Sequence, residues 1–214
     1  MPSLIYTAEL LLDQEDREPF LQWYAYRHAP DLFPIGFQVC TCYQAVIGDM
    51  TFLDIYEIPE WEIFTGRPYA RMAEKDVYAG EVLAKRRDKA HTLYQHRQLA
   101  PEGATTEVLA DADWVSVLRF NSSLDAEDMQ AALQAEASRL AADGATGVRF
   151  AERSRDHPVY TTHRPHYMLM AEWPERPSSE ASLFDRLPQQ LPGALSEITP
   201  FLGRRVYPWP NTRA

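Results

Sequence analysis

The chain has 214 residues, 45% hydrophobic and 24% charged, which suits one or two soluble globular domains and excludes disordered, collagen-like and coiled-coil chains. Lys and Arg total 21 against 31 Asp and Glu, a formal net charge of -10. That sign repels phosphate backbones and anionic lipid, so neither nucleic acid nor a membrane surface is an expected partner.

In chain order, Leu4 to Leu12 is apolar and partly alternating, which predicts a strand ending at Asp13-Gln14-Glu15-Asp16. Residues 16 to 33 place Phe20, Trp23, Tyr24 and Arg27-His28 at helical spacing, with Pro19 in the first turn and Pro30 marking the end region. Pro34-Ile35-Gly36 reads as a turn. Phe37 to Ile47 and Thr51 to Ile58 read as two strands joined by a tight turn at Gly48-Asp49, a hairpin. Trp61 to Lys89 is predicted mostly helical, interrupted near Pro68, and His91 to Leu99 forms a fourth strand.

After a loop composition at 100–106 the order recurs. It runs as strand Trp114 to Phe120, helix Asp125 to Ala142 with Gly144 at its stop, and strand Gly147 to Glu152. A polar loop, strand Tyr167 to Trp173, helix Ser182 to Leu195 and strand Phe201 to Tyr207 complete it.

The pattern β-α-β-β-α-β therefore occurs twice. Each copy is the ferredoxin-like arrangement, an α+β unit whose sheet carries helices on one face only. The expected organisation is a first unit at 1–98, a linker at 99–110 and a second unit at 111–214, packed sheet to sheet around an enclosed space. No apolar run approaches the ~20 residues of a bilayer span. Met1-Pro2-Ser3-Leu4 lacks a basic leader region, so a cytoplasmic location is expected. Cys40 and Cys42, two apart in one strand, share a sheet face and are expected to be free thiols.

The run Trp23-x4-His28-Ala29-Pro30-Asp31-Leu32, followed by Gly36-Phe37, Tyr43 and Phe52-Leu53-Asp54-Ile55-Tyr56-Glu57-Ile58, resembles the dimeric α/β-barrel superfamily, and within it EthD-like proteins. The motif likeness covers residues 1 to 98; the second half follows by topology. Cys42 stands where such proteins often carry arginine. The resemblance implies a barrel with a largely apolar pocket, and it allows a homodimer. Relatives include cofactor-free monooxygenases, lactone isomerases, polyketide cyclases and, more distantly, haem enzymes.

His28 is placed at the end of the first helix, where an imidazole serves as acid or base or caps the terminus. Tyr24 shares its helix face. Strand alternation sends Leu53 and Ile55 toward the helices and Phe52, Asp54 and Tyr56 into the cavity, where an apolar wall raises the aspartate pKa toward neutrality, unless Asp54 sits at a wet barrel rim or pairs with an arginine, the reading favoured slightly. Thr7 and Glu9 share a face and are expected beside them, with Tyr43 as a further substrate contact. The candidate catalytic set is His28, Asp54 and Tyr56, and the candidate binding set is Tyr24, Phe52, Thr7, Glu9 and Tyr43.

His157, His163 and His166 lack metal-ligand spacing and read as a polar loop, so no metal is expected. Lys85-Arg86-Arg87 with Lys89 reads as a solvated helix face. Two functions stay open. One is a cofactor-independent enzyme acting on a small apolar, aromatic or polyketide-like molecule, as isomerase, cyclase, lyase or monooxygenase. The other is a non-catalytic binding or scaffold protein of the same fold, with a haem enzyme behind both.

Overall fold

The computed structural model describes residues 3–101, 112–178 and 180–209. Eight strands form one closed antiparallel barrel in the order β1-β3-β2-β8-β5-β7-β6-β4. The first half supplies β1 (Leu4–Leu11), β2 (Val39–Ile47), β3 (Phe52–Ile58) and β4 (Asp88–Ala100). The second supplies β5 (Trp114–Ser122), β6 (Gly147–Arg155), β7 (Tyr167–Trp173) and β8 (Leu195–Tyr207).

The expected pair of separate sheets packed face to face is corrected here. The halves join edge to edge, β2 on β8 and β4 on β6, so no edge among the eight strands is left unpaired. The expected linker lies largely outside the described residues, and Leu99 and Ala100 still belong to β4.

The barrel interior is narrow and filled. Ile5, Tyr43, Leu53, Ile55, Tyr94, Val117, Met168, Met170 and Phe201 form one cluster there. Outside, each half has its own layer between sheet and helices, built on β1 and β3 in the first half and on β5 and β7 in the second. β1 and β3 are therefore buried on both faces, and β3 is buried at all seven positions.

The first helix begins at Gln14, not at residue 16, so Pro19 lies inside α1 (Gln14–Trp23). The helix also does not end at His28. It widens into a π-helical turn, Tyr24–His28, and continues as α2 (Ala29–Leu32) and a 3-10 turn, Phe33–Ile35. The Ala29 N–H reaches the Tyr24 carbonyl, an i to i−5 bond. Pro30 has no N–H to offer an α-helical ladder, and the wider turn accommodates it. Gly36, at φ 112°, supplies the left-handed stop.

The region read as one interrupted helix resolves into a 3-10 turn (Trp61–Thr65), α3 (Arg67–Lys75) and α4 (Ala79–Ala84). Asp125 caps α5 (Ala126–Ala142) by accepting the N–H groups of Glu127 and Asp128. The last helix is α6 (Glu180–Gln190). No described helix is long and apolar enough to cross a membrane.

Candidate functional site

A recess lies between the outer face of the first-half sheet and its helices. It spans about 470 Å³ of empty space, counting the part open to solvent, of which about 50 Å³ admits the centre of a water molecule. Its sheet floor follows from register. Ala8 of β1 is paired with Asp54 of β3 on one side and with His91 of β4 on the other. The row thus reads carboxyl, methyl, imidazole, and the small central side chain leaves the gap. Two interstrand spacings put the Asp54 and His91 backbones about 10 Å apart. Leu10 continues the floor, and Phe20, Trp23, His28 and Leu32 descend from the helices.

Asp54 is 2% exposed, and its Oδ1 has no hydrogen-bond partner. Burial pushes its pKa up to about 8, although hydrogen bonds from the Cys42 thiol and the Tyr56 hydroxyl act in the opposite sense. Tyr24 donates to the Thr41 carbonyl at 3.3 Å, and its hydroxyl adjoins that of Tyr56. The Cys42 thiol, buried beside Asp54, is pushed well above the ordinary thiol range, so it is no nucleophile. Cys40 and Cys42 are both free.

His91 is 5% exposed and sits at 2.6 Å, through Nδ1, from the Tyr6 hydroxyl. Burial, and then the charges of its neighbours His157, Arg86 and Lys89, lower its pKa to about 2, so the ring is neutral. If Tyr6 donates to Nδ1, the ring proton sits on Nε2 and one buried donor is left unpaired. The other tautomer orphans the Tyr6 hydroxyl proton as well, so the first is favoured. Nε2 is buried without a partner. The floor therefore carries an unpaired acceptor on Asp54 and an unpaired donor on His91.

His28 stacks on the Trp23 ring at 4.5 Å and meets the Tyr56 ring edge-on at 6.5 Å. The Trp23 indole N–H donates to Asp76 at 2.7 Å, which fixes the platform. Burial holds the His28 pKa down at about 4, so at neutral pH this ring is also uncharged. It caps no carbonyl; the helix runs on past it.

Several expected positions are corrected. Phe52, Asp54 and Tyr56 face the helices, and Leu53 and Ile55 point into the barrel, the reverse of the expected sense. His28, Asp54 and Tyr56 nevertheless meet at one recess, because that recess lies on the helix side. Phe52 stacks on Phe20 at 5.0 Å and Tyr24 packs beside it, both behind the wall.

Thr7, Glu9 and Tyr43 are not in the recess. Their parity sends them into the barrel, where Thr7 bonds the Thr92 carbonyl and Tyr43 donates to the Ala112 carbonyl at 3.2 Å. Glu9 pairs there with Arg119 at 3.0 Å and Arg164 at 2.6 Å.

Sequence reasoning missed His91, Tyr6, Tyr69, Arg86 and Tyr160, all of which line the recess. The alternation of β1 marks Tyr6 and Ala8 as sharing a face; only the β1–β4 register brings His91 to them. The second half also contributes, through the segment 156–166 between β6 and β7. Tyr160 stacks on His91 at 3.8 Å, and Arg164 ties the segment to Glu9 and Asp49. His157 accepts the N–H groups of Val159 and Tyr160 at Nδ1. The three histidines of this segment do not converge, and among the described residues no group of His, Cys, Asp and Glu is placed to hold a metal ion.

A larger hollow, about 600 Å³, lies over α5 at Glu127, Gln130, Ala131 and Gln134. It is a single exposed helix face without a buried polar group, so it offers no chemistry.

No known protein family matches the sequence, and no curated protein does. Solved structures match the fold. An anthrone oxidase-like protein superposes with TM-score 0.63 at 10% identity, over 97% of this chain and 92% of that one. A candidate monooxygenase from Lactobacillus acidophilus gives 0.58 at 11% identity, over 96% and 94%. A haem-binding protein from Thermus thermophilus gives 0.54 at 11% identity, over 95% and 91%. The fold is of the dimeric α/β-barrel type.

Haem binding by one of these structures can be tested against the space present here. In the first-half recess both histidines are already packed face to face with an aromatic ring, His28 on Trp23 at 4.5 Å and His91 on Tyr160 at 3.8 Å, which leaves neither free to ligate a porphyrin iron. The equivalent layer of the second half is filled by Leu118, Phe120, Met129, Leu133 and Leu140. The described residues do not fit haem.

Proposed function

We propose that the chain is a cofactor-independent enzyme that moves a proton on a small, mostly apolar or aromatic molecule seated in the first-half recess. The observation that carries this reading is the pair of unpaired buried groups, Asp54 Oδ1 and His91 Nε2, on two residues that flank Ala8 and line one recess. Buried polar atoms without partners are uncommon in folded proteins; a carbonyl oxygen satisfies the His91 donor, and a phenolic or enolic hydroxyl satisfies both, accepting from His91 and donating to Asp54.

In this reading the substrate oxygen accepts the His91 Nε2–H. Ionised Asp54 removes a proton from the adjacent carbon: the C–H bond breaks, an O–H bond forms on Oδ1, and the electron pair passes to the substrate oxygen. His91 stabilises the resulting oxyanion in a site of low polarity. Asp54 returns the proton to a different atom, as an isomerase or cyclase requires. Tyr56 and Cys42 orient the carboxyl, and neutral His28 forms a polar point on an aromatic wall. The likeness to monooxygenase and anthrone oxidase-like structures supports the fold and adds dioxygen as a second fate for the carbanion.

The strand order β4-β1-β3-β2 followed by β8-β5-β7-β6 supports reading the chain as two ferredoxin-like units; EthD-like character in the first rests on the Trp23-x4-His28 and Gly36-Phe37 motifs alone. The reaction is tested by incubating a panel of cyclic ketones and phenols with the protein in deuterium oxide, following C–H loss by proton NMR and dioxygen uptake with an electrode. Deuterium incorporation that Asp54→Asn abolishes supports the reading. No exchange across the panel, or exchange that survives in Asp54→Asn, overturns it and leaves the non-catalytic binding function.

A further inference from the structure

Lys85, Arg86 and Arg87 form a basic run in the connection from α4 to β4. Its outer members behave as a solvated charge run does. Lys85 pairs with Asp16 at 2.9 Å, and Arg87 pairs with Asp13 at 2.9 Å. Arg86, between them, turns the other way and lines the recess. Its Nε donates to the Leu83 carbonyl at 2.6 Å, which fixes the guanidinium plane. No carboxylate among the described residues pairs with it, although the chain carries 31 acidic residues. Its charge is felt inside the recess, at Tyr6 and at His91.

A half-buried guanidinium anchored by one nitrogen, with its remaining donors unclaimed and directed at a cavity, is suited to a planar anion. Arginine binds carboxylates through two parallel N–H donors. Lys89, which could compete as a second cation nearby, is instead held over the Tyr160 ring at 4.8 Å.

We propose that Arg86 is a substrate-recognition residue and that the molecule taken by this site carries a carboxylate. This rests on the reading of the recess as a substrate site, and it narrows that substrate to a small apolar or aromatic acid. The carboxylate docks on Arg86 at the mouth, and the apolar body lies along Ala8, Leu10 and the aromatic wall toward Asp54.

The test is a binding titration of the whole chain with matched anionic and neutral probes: propionate against propionamide, and benzoate against benzamide. Binding is read from the His28 and His91 imidazole signals in nitrogen-15 NMR. Each acid is expected to bind about tenfold or more tightly than its amide, the scale of a charge-assisted pair over a neutral one. Arg86→Gln is expected to abolish the preference by weakening the acids alone, and Arg87→Gln to leave it intact. Equal binding of acid and amide, no binding of the acids, or a preference that survives Arg86→Gln overturns the proposal. The same titration in Asp54→Asn reads the preference without turnover. Failure of the catalytic reading therefore shows as absent proton exchange with the acid preference still present.

Discussion

Replacing Asp54 by asparagine should stabilise the protein increasingly as pH rises. The carboxyl titrates at about 8 in the folded chain against 3.8 ordinarily. Between those values the native state holds a proton that the unfolded chain has released, so stability falls as pH rises through the window. At pH 7 the ordinary value is exceeded by about 3 pH units, and at ~1.36 kcal/mol per unit this costs about 4 kcal/mol. Asparagine keeps the shape and does not titrate. Its amide brings its own unpaired donors, an offset of about 1–3 kcal/mol that does not vary with pH.

The informative quantity is therefore the change of the stability gap between variant and parent. Histidine titration should cancel in it. His28 and His157 are depressed to about 4 and His91 to about 2, so both proteins lose stability together as pH falls below 6.5. Urea unfolding followed by tryptophan fluorescence from pH 4.5 to 8.5 measures the gap. It should move by several kcal/mol in favour of the variant. A gap constant to within about 1 kcal/mol would mean that Asp54 is ionised near its ordinary value and that the base assigned to it is not tuned by burial. Gain of stability with loss of proton exchange is the expected pairing for a residue kept for chemistry.

Two further outcomes follow from the packing. Ala8→Leu fills the gap between Asp54 and His91. It should abolish probe binding and proton exchange while changing unfolding free energy by no more than about 1–3 kcal/mol, the usual cost of overpacking; retained exchange would place the reacting atoms elsewhere. Arg164→Met removes one cation from Glu9 and leaves Arg119 facing it at 3.0 Å. Destabilisation should reach about 3 kcal/mol, the low end for a broken buried pair, with faster amide exchange at Val159 and Tyr160. Unchanged exchange there would show that the segment does not depend on this anchor.

The local signals that predicted strands and helices were sufficient for element order, and the Trp23 to Leu32 motif drew His28 toward Asp54 and Tyr56. The facing of β3 was not legible. Alternation reports a face only when one side meets water, and β3 is buried on both. Leu53 and Ile55 join the interior cluster, and Phe52 and Tyr56 join the layer under the helices. Glu9 was drawn to the pocket by sharing a face with Thr7, yet its partner Arg164 is 155 residues away, a distance no local pattern spans. His91 and Ala8 became neighbours only through the β1–β4 register, and Pro30 signalled a helix end because the π-helical turn that absorbs it has no sequence signature of its own.

The two halves share a strand order but divide the work unequally. In the second, Met129, Leu133, Ala137 and Leu140 of α5 pack directly onto the sheet and leave a filled apolar layer. In the first, the layer is interrupted by Ala8 on the floor, by the π-helical turn that presents His28, and by short α3 and α4 in place of one long helix. The second half then sends the segment 156–166 across to the first, where Tyr160 covers His91 and Arg164 reaches Glu9 inside the barrel. Burial of the recess thus depends on both halves, although its floor comes from one. Without that cover, water would reach Asp54 and His91, satisfy their open hydrogen bonds and return both groups toward ordinary titration. The closed barrel therefore does more than remove sheet edges: it holds the second half in register over the first, and the resulting dryness raises the Asp54 pKa to about 8, the range the proposed base requires.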